Sequence, residues 1–337
     1  MSTRRHFAVI LLAVMLGAGY ALGARMVFNA EQGAGVTRHS FQWGAAFTVM
    51  SFSFMFLVPL GLGFLTGYFG PSDGTFARRA VRRVFWPWVS SLVFLGLCLL
   101  SGWEGFICVA LGLPILFGVS SVGGLIGGFL RDRGDARTRT YCLAGVVLLP
   151  FIAAPLENLR ERSNEISTVH TSIVIQAKPA EVWRQIRSVP RITEAEHRFS
   201  YTHLLGFPRP VEALLEGEGV GAVRYARFER GVLFIEKITE WKEGERLSFS
   251  IVADTKSIPA TTFDEHVTIG GPYFDVLHGT YWLEVRGPTE VVLHLTSDQR
   301  LATGFNFYAH LWTEGLMRDL QNTILVIVKQ RCEAAPR

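Results

Sequence analysis

Residues 105–130 read GFICVALGLPILFGVSSVGGLIGGFL, an apolar stretch with no Asp, Glu, Lys or Arg. Crossing the hydrocarbon core of a bilayer takes about 20 residues of helix, so this stretch alone predicts a transmembrane span. Similar uncharged runs occupy residues 7–24, 41–69, 84–101 and 140–156. One such run could be the core of a globular protein. Five in succession point to an all-α transmembrane helix bundle over residues 1–158. The run at 140–156 is the weakest of the five, being short and carrying Pro150 and Pro155.

Charge divides the chain at the same place. The whole protein has 337 residues, 49% hydrophobic and only 18% charged, with a net charge of +4. Residues 1–158 hold 12 Arg, no Lys and 6 acids, whereas residues 159–337 hold 21 Lys plus Arg against 23 acids. The basic pI therefore belongs to the apolar half. A nucleic-acid partner is not expected, because the half that would carry a basic groove is slightly acidic.

The arginines also set an orientation. Arg4, Arg5, Arg78, Arg79, Arg82, Arg83, Arg131, Arg133, Arg137 and Arg139 flank alternate runs, leaving Arg25 and Arg38 on the other side. If all five runs span, the positive-inside rule puts the N-terminus in the cytoplasm and everything after residue 156 outside it. The expected location is then the inner membrane, multi-pass, with a periplasmic C-terminal domain. If 140–156 does not span, that domain is cytoplasmic. Met1–Ala24 also has the layout of a secretory signal, and an uncleaved first helix is the preferred reading. Small-xxx-small pairs at Gly19/Gly23, Gly63/Gly67, Gly123/Gly127 and Gly124/Gly128 are expected to be helix-packing faces. No acid or base interrupts a run, which disfavours a proton- or ion-coupled transporter.

After a polar juncture at 157–168 the pattern changes. Val169–Ile175 reads as a strand, and Pro179 opens a helix over Ala180–Arg187. From Gly219 onward strands are expected at Val220–Arg230, Val232–Trp241, Leu247–Asp254, Phe263–Ile269, Asp275–Val285 and Glu290–Arg300, joined by short glycine-rich turns. A helix over about Phe305–Arg331 closes the domain, with Tyr308, Trp312, Leu316, Leu320, Ile324 and Val328 as its apolar stripe. This is an α+β domain over residues 166–332, a meander wrapped around a long helix. A sheet of this kind commonly leaves a cavity against the helix.

Ile173-Val174-Ile175-Gln176-Ala177-Lys178-Pro179-Ala180-Glu181-Val182-Trp183 resembles the opening strand and helix of the START-related, polyketide-cyclase-like (SRPBCC, Bet v 1-like) superfamily. Phe234-Ile235-Glu236-Lys237-Ile238-Thr239-Glu240-Trp241 resembles a mid-sheet strand of the same superfamily. The resemblance covers about half of the chain and implies the helix-grip fold. It also implies binding of a lipid or other hydrophobic small molecule, with cyclase or dehydratase chemistry in some members.

No GxSxG, HExxH, Walker loop or GxGxxG after a strand is present. The histidines lack metal-pair spacing, and Cys98, Cys108, Cys142 and Cys332 form no metal or disulfide pattern. No metal or cofactor is expected. Candidate cavity residues are Arg224, Glu236, His278, Tyr281, Arg300, Asn306, Tyr308 and Trp312, chosen as polar or amphipathic positions on the strands and the last helix. Alternation also groups His278 with Thr280, Trp282 and Glu284, and Arg300 with His294, Thr296 and Asp298, without saying which face lies inside. The leading expectation is a membrane-anchored binding module. A cyclase-, dehydratase- or hydrolase-type enzyme in the same cavity is the alternative, and a sensory or structural partner of another membrane protein is the third reading.

Overall fold

In the computed structural model the described residues are 3–28, 47–159, 164–254 and 268–334. Arg38, residues 41–46 of the second apolar run, residues 160–163 of the polar juncture and residues 263–267 of the expected strand at 263–269 lie outside them. The chain divides into two compact units, residues 1–162 with Thr303–Phe305, and residues 163–302 with 306–337.

The described part of the first unit is built from helices. Helices α1 (Thr3–Val27), α3 (Phe76–Leu100), α4 (Phe106–Arg133) and α5 (Ala136–Asn158) are each long and apolar enough to cross a membrane. In the second apolar run, five residues of π-helix at Ser53–Leu57 lead into the shorter α2 (Val58–Phe69). Pro150 and Pro155 do not break the fifth run, which continues as helix through both.

Side-chain contacts tie matching helix ends together. Asp132 at the end of α4 bonds Arg79 and Arg83 at the start of α3, at 3.0 and 2.7 Å. Arg131 donates to the carbonyls of Tyr68 and Gly70 at the end of α2, and His6 of α1 faces Asp73. At the other end, Arg25 pairs with Glu104 at 2.7 Å. There the Glu157 carboxylate accepts from the backbone N–H groups of Phe52 and Ser53, at 2.7 and 2.9 Å. The helices thus alternate in direction, and the ten arginines of the sequence pattern gather at one end.

Glycines set the tightest seam, between α2 and α4. A Cβ on Gly63 would meet the Ser120 backbone, one on Gly67 the Gly124 backbone, and one on Gly127 the Phe64 backbone. Gly124 and Gly128 are held equally close by Arg83 of α3. Gly19 and Gly23 are a correction, because among the described residues nothing lies within 4 Å of the Cβ position of either. The glycine of α1 that does pack is Gly17, against Thr66 and Leu62. Gly17 and Gly19 are about 200° apart around the helix, so the expected pair sits on the wrong face.

The second unit is α+β. Among the described residues seven antiparallel strands run β1 (Glu165–Ile175), β2 (Pro210–Glu216), β3 (Val223–Phe228), β4 (Leu233–Lys242), β5 (Arg246–Asp254), β6 (Phe274–Gly287) and β7 (Glu290–Leu301). Their order is β1-β7-β6-β5-β4-β3-β2, a meander from β2 to β7 with β1 added beside β7. Helix α6 (Pro179–Arg187) follows β1, the one-turn α7 (Tyr201–Leu204) precedes β2, and α8 (Asn306–Ala334) closes the unit. No strand signal marks β2, because Glu212, Ala213, Leu214, Leu215 and Glu216 are all helix formers. Pairing with β3 overrides that preference.

The core lies between sheet and helices. Ile175, Val182, Ile186, Ile238, Leu247 and Leu293 are essentially inaccessible, and Leu325 and Val328 of α8 join the same cluster. A loop before α7 is pinned to α8 by Arg331, which donates to Glu196 and to the carbonyls of Pro190 and Arg191. The Arg331 guanidinium holds the Glu196 carboxyl down at about 2. A depressed carboxyl stabilises the fold above its unfolded value of about 4.3 and loses that contribution as pH falls toward 2. In thermal melts of the full chain, Glu196→Gln should flatten the stability loss between about pH 4.5 and 2.5. An acid limb as steep as that of the unmodified chain would mean this pair is not its source.

Candidate functional site

A cavity of about 130 Å³ lies between the concave face of the sheet and α8. Strand alternation builds its wall. On β7 the inward residues are Val291, Leu293, Leu295, Ser297 and Gln299, and on β6 they include Tyr281 and Leu283. Phe228, Phe234, Phe249 and Tyr281 supply aromatic surface. From α8 the cavity takes Met317, Leu320, Gln321, Ile324, Ile327 and Val328, the spacing of one helix face.

A polar knot interrupts this apolar lining. Arg224 of β3 and Glu236 of β4 are cross-strand partners and form a buried ion pair through Arg224 Nε and Glu236 Oε2. Arg224 Nη1 donates to the Ile186 carbonyl at 2.7 Å. Its guanidinium lies 4.4 Å from the centre of the Phe249 ring and 5.6 Å from that of Tyr281. The Phe249 ring can lie there because residue 279 of the adjacent strand is glycine. A Cβ at Gly279 would strike the ring edge.

The electrostatics follow from burial. Arg224, Glu236 and Tyr281 are 3%, 7% and 4% exposed. Burial pushes the Glu236 carboxyl up, and Arg224 pulls it the other way without cancelling the shift. Burial works against the Arg224 charge, but Glu236 and Tyr281 outweigh it and hold the guanidinium protonated. The Tyr281 phenol is raised, first by burial and further by Glu236, against the pull of Arg224. A second polar group, Gln321, is 1% exposed. It accepts from Thr171 at 3.0 Å and donates to Val169 O at 3.2 Å and Ser297 Oγ at 2.9 Å.

The structure thus brings Arg224, Glu236 and Tyr281 together and places the other five candidates elsewhere. His278 and Arg300 are on the outer face of the sheet. His278 approaches Asp298 at 4.0 Å, and Arg300 donates to the carbonyls of Gly271 and Pro272, holding that turn. The outer face also carries a stack of Trp282 and His294, 4.6 Å apart. Asn306 donates to Leu301 O at the start of α8. Tyr308 and Trp312 meet edge to face at 6.4 Å, outside the cavity lining. The reason is geometric. A four-residue repeat advances about 40° per step on a helix of 3.6 residues per turn, so Tyr308 and Val328 differ by about 200°. Met317 and Gln321 lie off that repeat, so the stripe misses them.

No family model matches the chain, and no curated protein matches it. Solved structures resemble part of it. Norcoclaurine synthase from Thalictrum flavum, in complex with dopamine and hydroxybenzaldehyde, is 14% identical. The match covers 52% of this chain and 91% of the synthase, at a TM-score of 0.31. The Aha1 dimer from Colwellia psychrerythraea is 14% identical over 51% of this chain and 99% of its own, at 0.28. A protein from Thermus thermophilus is 17% identical over 51% of this chain and 100% of its own, at 0.34. These likenesses assign no ligand or reaction to the chain.

Chemically, the arrangement suits a small apolar molecule with one polar end. The walls offer no water-like environment, and the charges of the knot are already paired with each other. A cavity of about 150 Å³ is enough for a benzene-sized guest, so 130 Å³ fits one ring or a short chain.

Proposed function

We propose that this protein is a membrane-anchored binding protein whose helix-grip, START-like unit takes a small hydrophobic ligand. The observation that carries the reading is the cavity itself: aromatic and aliphatic walls around the Arg224–Glu236–Tyr281 knot. Ligand sites are typically apolar with few, convergent polar groups. The test is mass spectrometry of organic extracts from the full chain purified in mild detergent. A small apolar molecule should co-purify at near-stoichiometric yield. Met317→Trp, which fills the cavity from α8, should lower that yield by about fivefold or more, since overpacking leaves no room for a guest. Val220→Trp on the exposed surface should not. Equal yields from all three chains would place the ligand elsewhere.

Support for anchoring comes from the first unit. Its long helices expose Leu12, Leu92, Ile126, Phe129, Ile152 and Leu156, apolar surface that a water-soluble bundle would bury. Exposed apolar helices satisfy their own backbone and are compatible with lipid. The arginine-rich end is assigned to the cytoplasm, so the chain leaves α5 on the opposite side. A reporter active only outside the cytoplasm should be active when fused after Arg337 and silent when fused between Arg78 and Arg83. A silent fusion at Arg337 would reverse the assignment of the second unit.

A second reading, a cyclase- or dehydratase-type enzyme in the same cavity, draws on one observation. Glu236 and Tyr281, both pushed up by burial, converge on Arg224, and environments that shift such groups are where acid–base chemistry is found. Conversion of the extracted molecule by the full chain, lost in Tyr281→Phe, would favour this reading over simple binding.

A further inference from the structure

We infer that the first two turns of α8, with Phe307, Tyr308, Leu311 and Trp312, lie in the headgroup layer of the bilayer that holds the helical unit, an inference that rests on the membrane-anchor reading. The lipid contact is then made twice, by the spans and by the start of the last helix.

The chain itself sets the position. Residues 303–305 belong to the helical unit. The Gly304 N–H donates to Met50 O at 2.9 Å, and a Cβ on Gly304 would meet the Glu157 carboxylate and the backbone of Ser51 and Phe52. Thr303 and Phe305, on either side, are buried. Glu157 is near the end of α5, at the end of the bundle opposite the arginines, where Arg25 and Glu104 also pair. Under the anchor reading, that end is the boundary between hydrocarbon and water. Helix α8 begins at Asn306, the next residue after Phe305. Consecutive Cα atoms are about 3.8 Å apart, so covalent continuity alone keeps the start of α8 near this boundary.

Composition fits that place. Residues 301–313 read LATGFNFYAHLWT, without Asp, Glu, Lys or Arg. An uncharged run of this length is too short to span, and suits either a buried core helix or an interfacial segment. Exposure decides between the two. Phe307 and Leu311, one turn apart, are 64% and 68% exposed. Tyr308 and Trp312, also one turn apart, meet edge to face and are half-buried. Amphipathic rings of this kind favour the headgroup layer. The cavity takes its α8 wall from Met317 onward, so none of these four side chains is spent on the ligand site.

The lipid chemistry follows from charge. None of the four is ionised, and the first acid after them, Glu314, already bonds Arg318 at 2.8 Å and faces His310 at 3.6 Å. The attraction is therefore apolar burial and not a search for anionic headgroups. A neutral phospholipid is enough.

The experiment uses the full chain in nanodiscs of phosphatidylcholine, with photoreactive p-benzoylphenylalanine placed at one position at a time. Leu311→p-benzoylphenylalanine is the test. Asn322→p-benzoylphenylalanine is the control, exposed on nearly the same face of α8 and about 16 Å further along it. Ile126→p-benzoylphenylalanine, on the exposed side of α4, reports on the anchor. All three native side chains are exposed, so the substitutions leave the packing intact. After irradiation, intact-mass spectrometry should show one added phospholipid at positions 311 and 126 and none at 322. An adduct at 126 with none at 311 overturns the inference and leaves the anchor standing. Equal adducts at 311 and 322 also overturn it, because lipid contact would then ignore the apolar patch. No adduct at 126 removes the anchor reading, and this inference with it.

Discussion

Gly63→Leu is expected to abolish the folded helical unit, and Gly19→Leu is expected to leave it intact. The two positions look alike in sequence, each being the first glycine of a small-xxx-small pair. In the structure a Cβ on Gly63 would fall well inside 3.0 Å of the Ser120 carbonyl, whereas one on Gly19 meets nothing within 4 Å among the described residues. The obstacle at Gly63 is backbone, which cannot rotate away as a side chain can. Relief requires α2 and α4 to separate along the seam that Gly67 and Gly127 also form. Overpacking a close-packed interior costs about 1–3 kcal/mol even where neighbours can shift. A leucine wedged between two backbones exceeds that and competes with a total stability of about 5–15 kcal/mol. Size-exclusion profiles of the two full-length variants in detergent give the comparison. A monodisperse peak for Gly63→Leu at the wild-type yield would mean that the α2–α4 seam is looser than its glycines indicate.

That pair also shows what a spacing motif encodes. The i, i+4 rule finds two small residues on one helix face, but it does not say which face meets a partner. For α2 and α4 the faces coincide with the seam. For α1 the packing residue is Gly17, while Gly19 and Gly23 look away. The same limit applies in the α+β unit. Alternation sorts His278 and Arg300 onto faces but does not say which face is inside, and the apolar partner that decides it, α8, is remote in sequence. A strict four-residue repeat tracks α8 well over a few turns and drifts off the core face over its 29 residues. Arg224, Glu236 and Tyr281 carry a different signal. Each is a polar group set in a strand whose same-face neighbours are apolar, such as Ala226, Ile238 and Leu283. β2 was not legible at all, because its stability comes from β3 and not from its own residues.

Arg224→Met should cost about 3–5 kcal/mol at neutral pH, the range seen when one partner of a buried ion pair is removed. The loss reflects what remains. Glu236, 7% exposed, would keep its charge among Phe249, Ile251 and Phe234 with no counter-ion beside it. Its carboxyl is already pushed up by burial while Arg224 opposes the shift, so removing Arg224 drives it further up. A carboxyl raised above its unfolded value of about 4.3 is most favourable to the fold when protonated. Stability in the variant is therefore greatest below that pH and declines as pH rises through the folded value, so the deficit relative to wild type should shrink on acidification. Replacing both partners, as Arg224→Met/Glu236→Leu, removes the uncompensated charge and should recover most of the stability, since apolar substitutes for a buried pair are often neutral or stabilising. Denaturant melts of the three full chains at about pH 5 and pH 8 separate these effects. A single variant as stable as wild type at the higher pH, or a double variant no better than the single, would mean that water reaches Glu236 and that the knot is solvated, not buried.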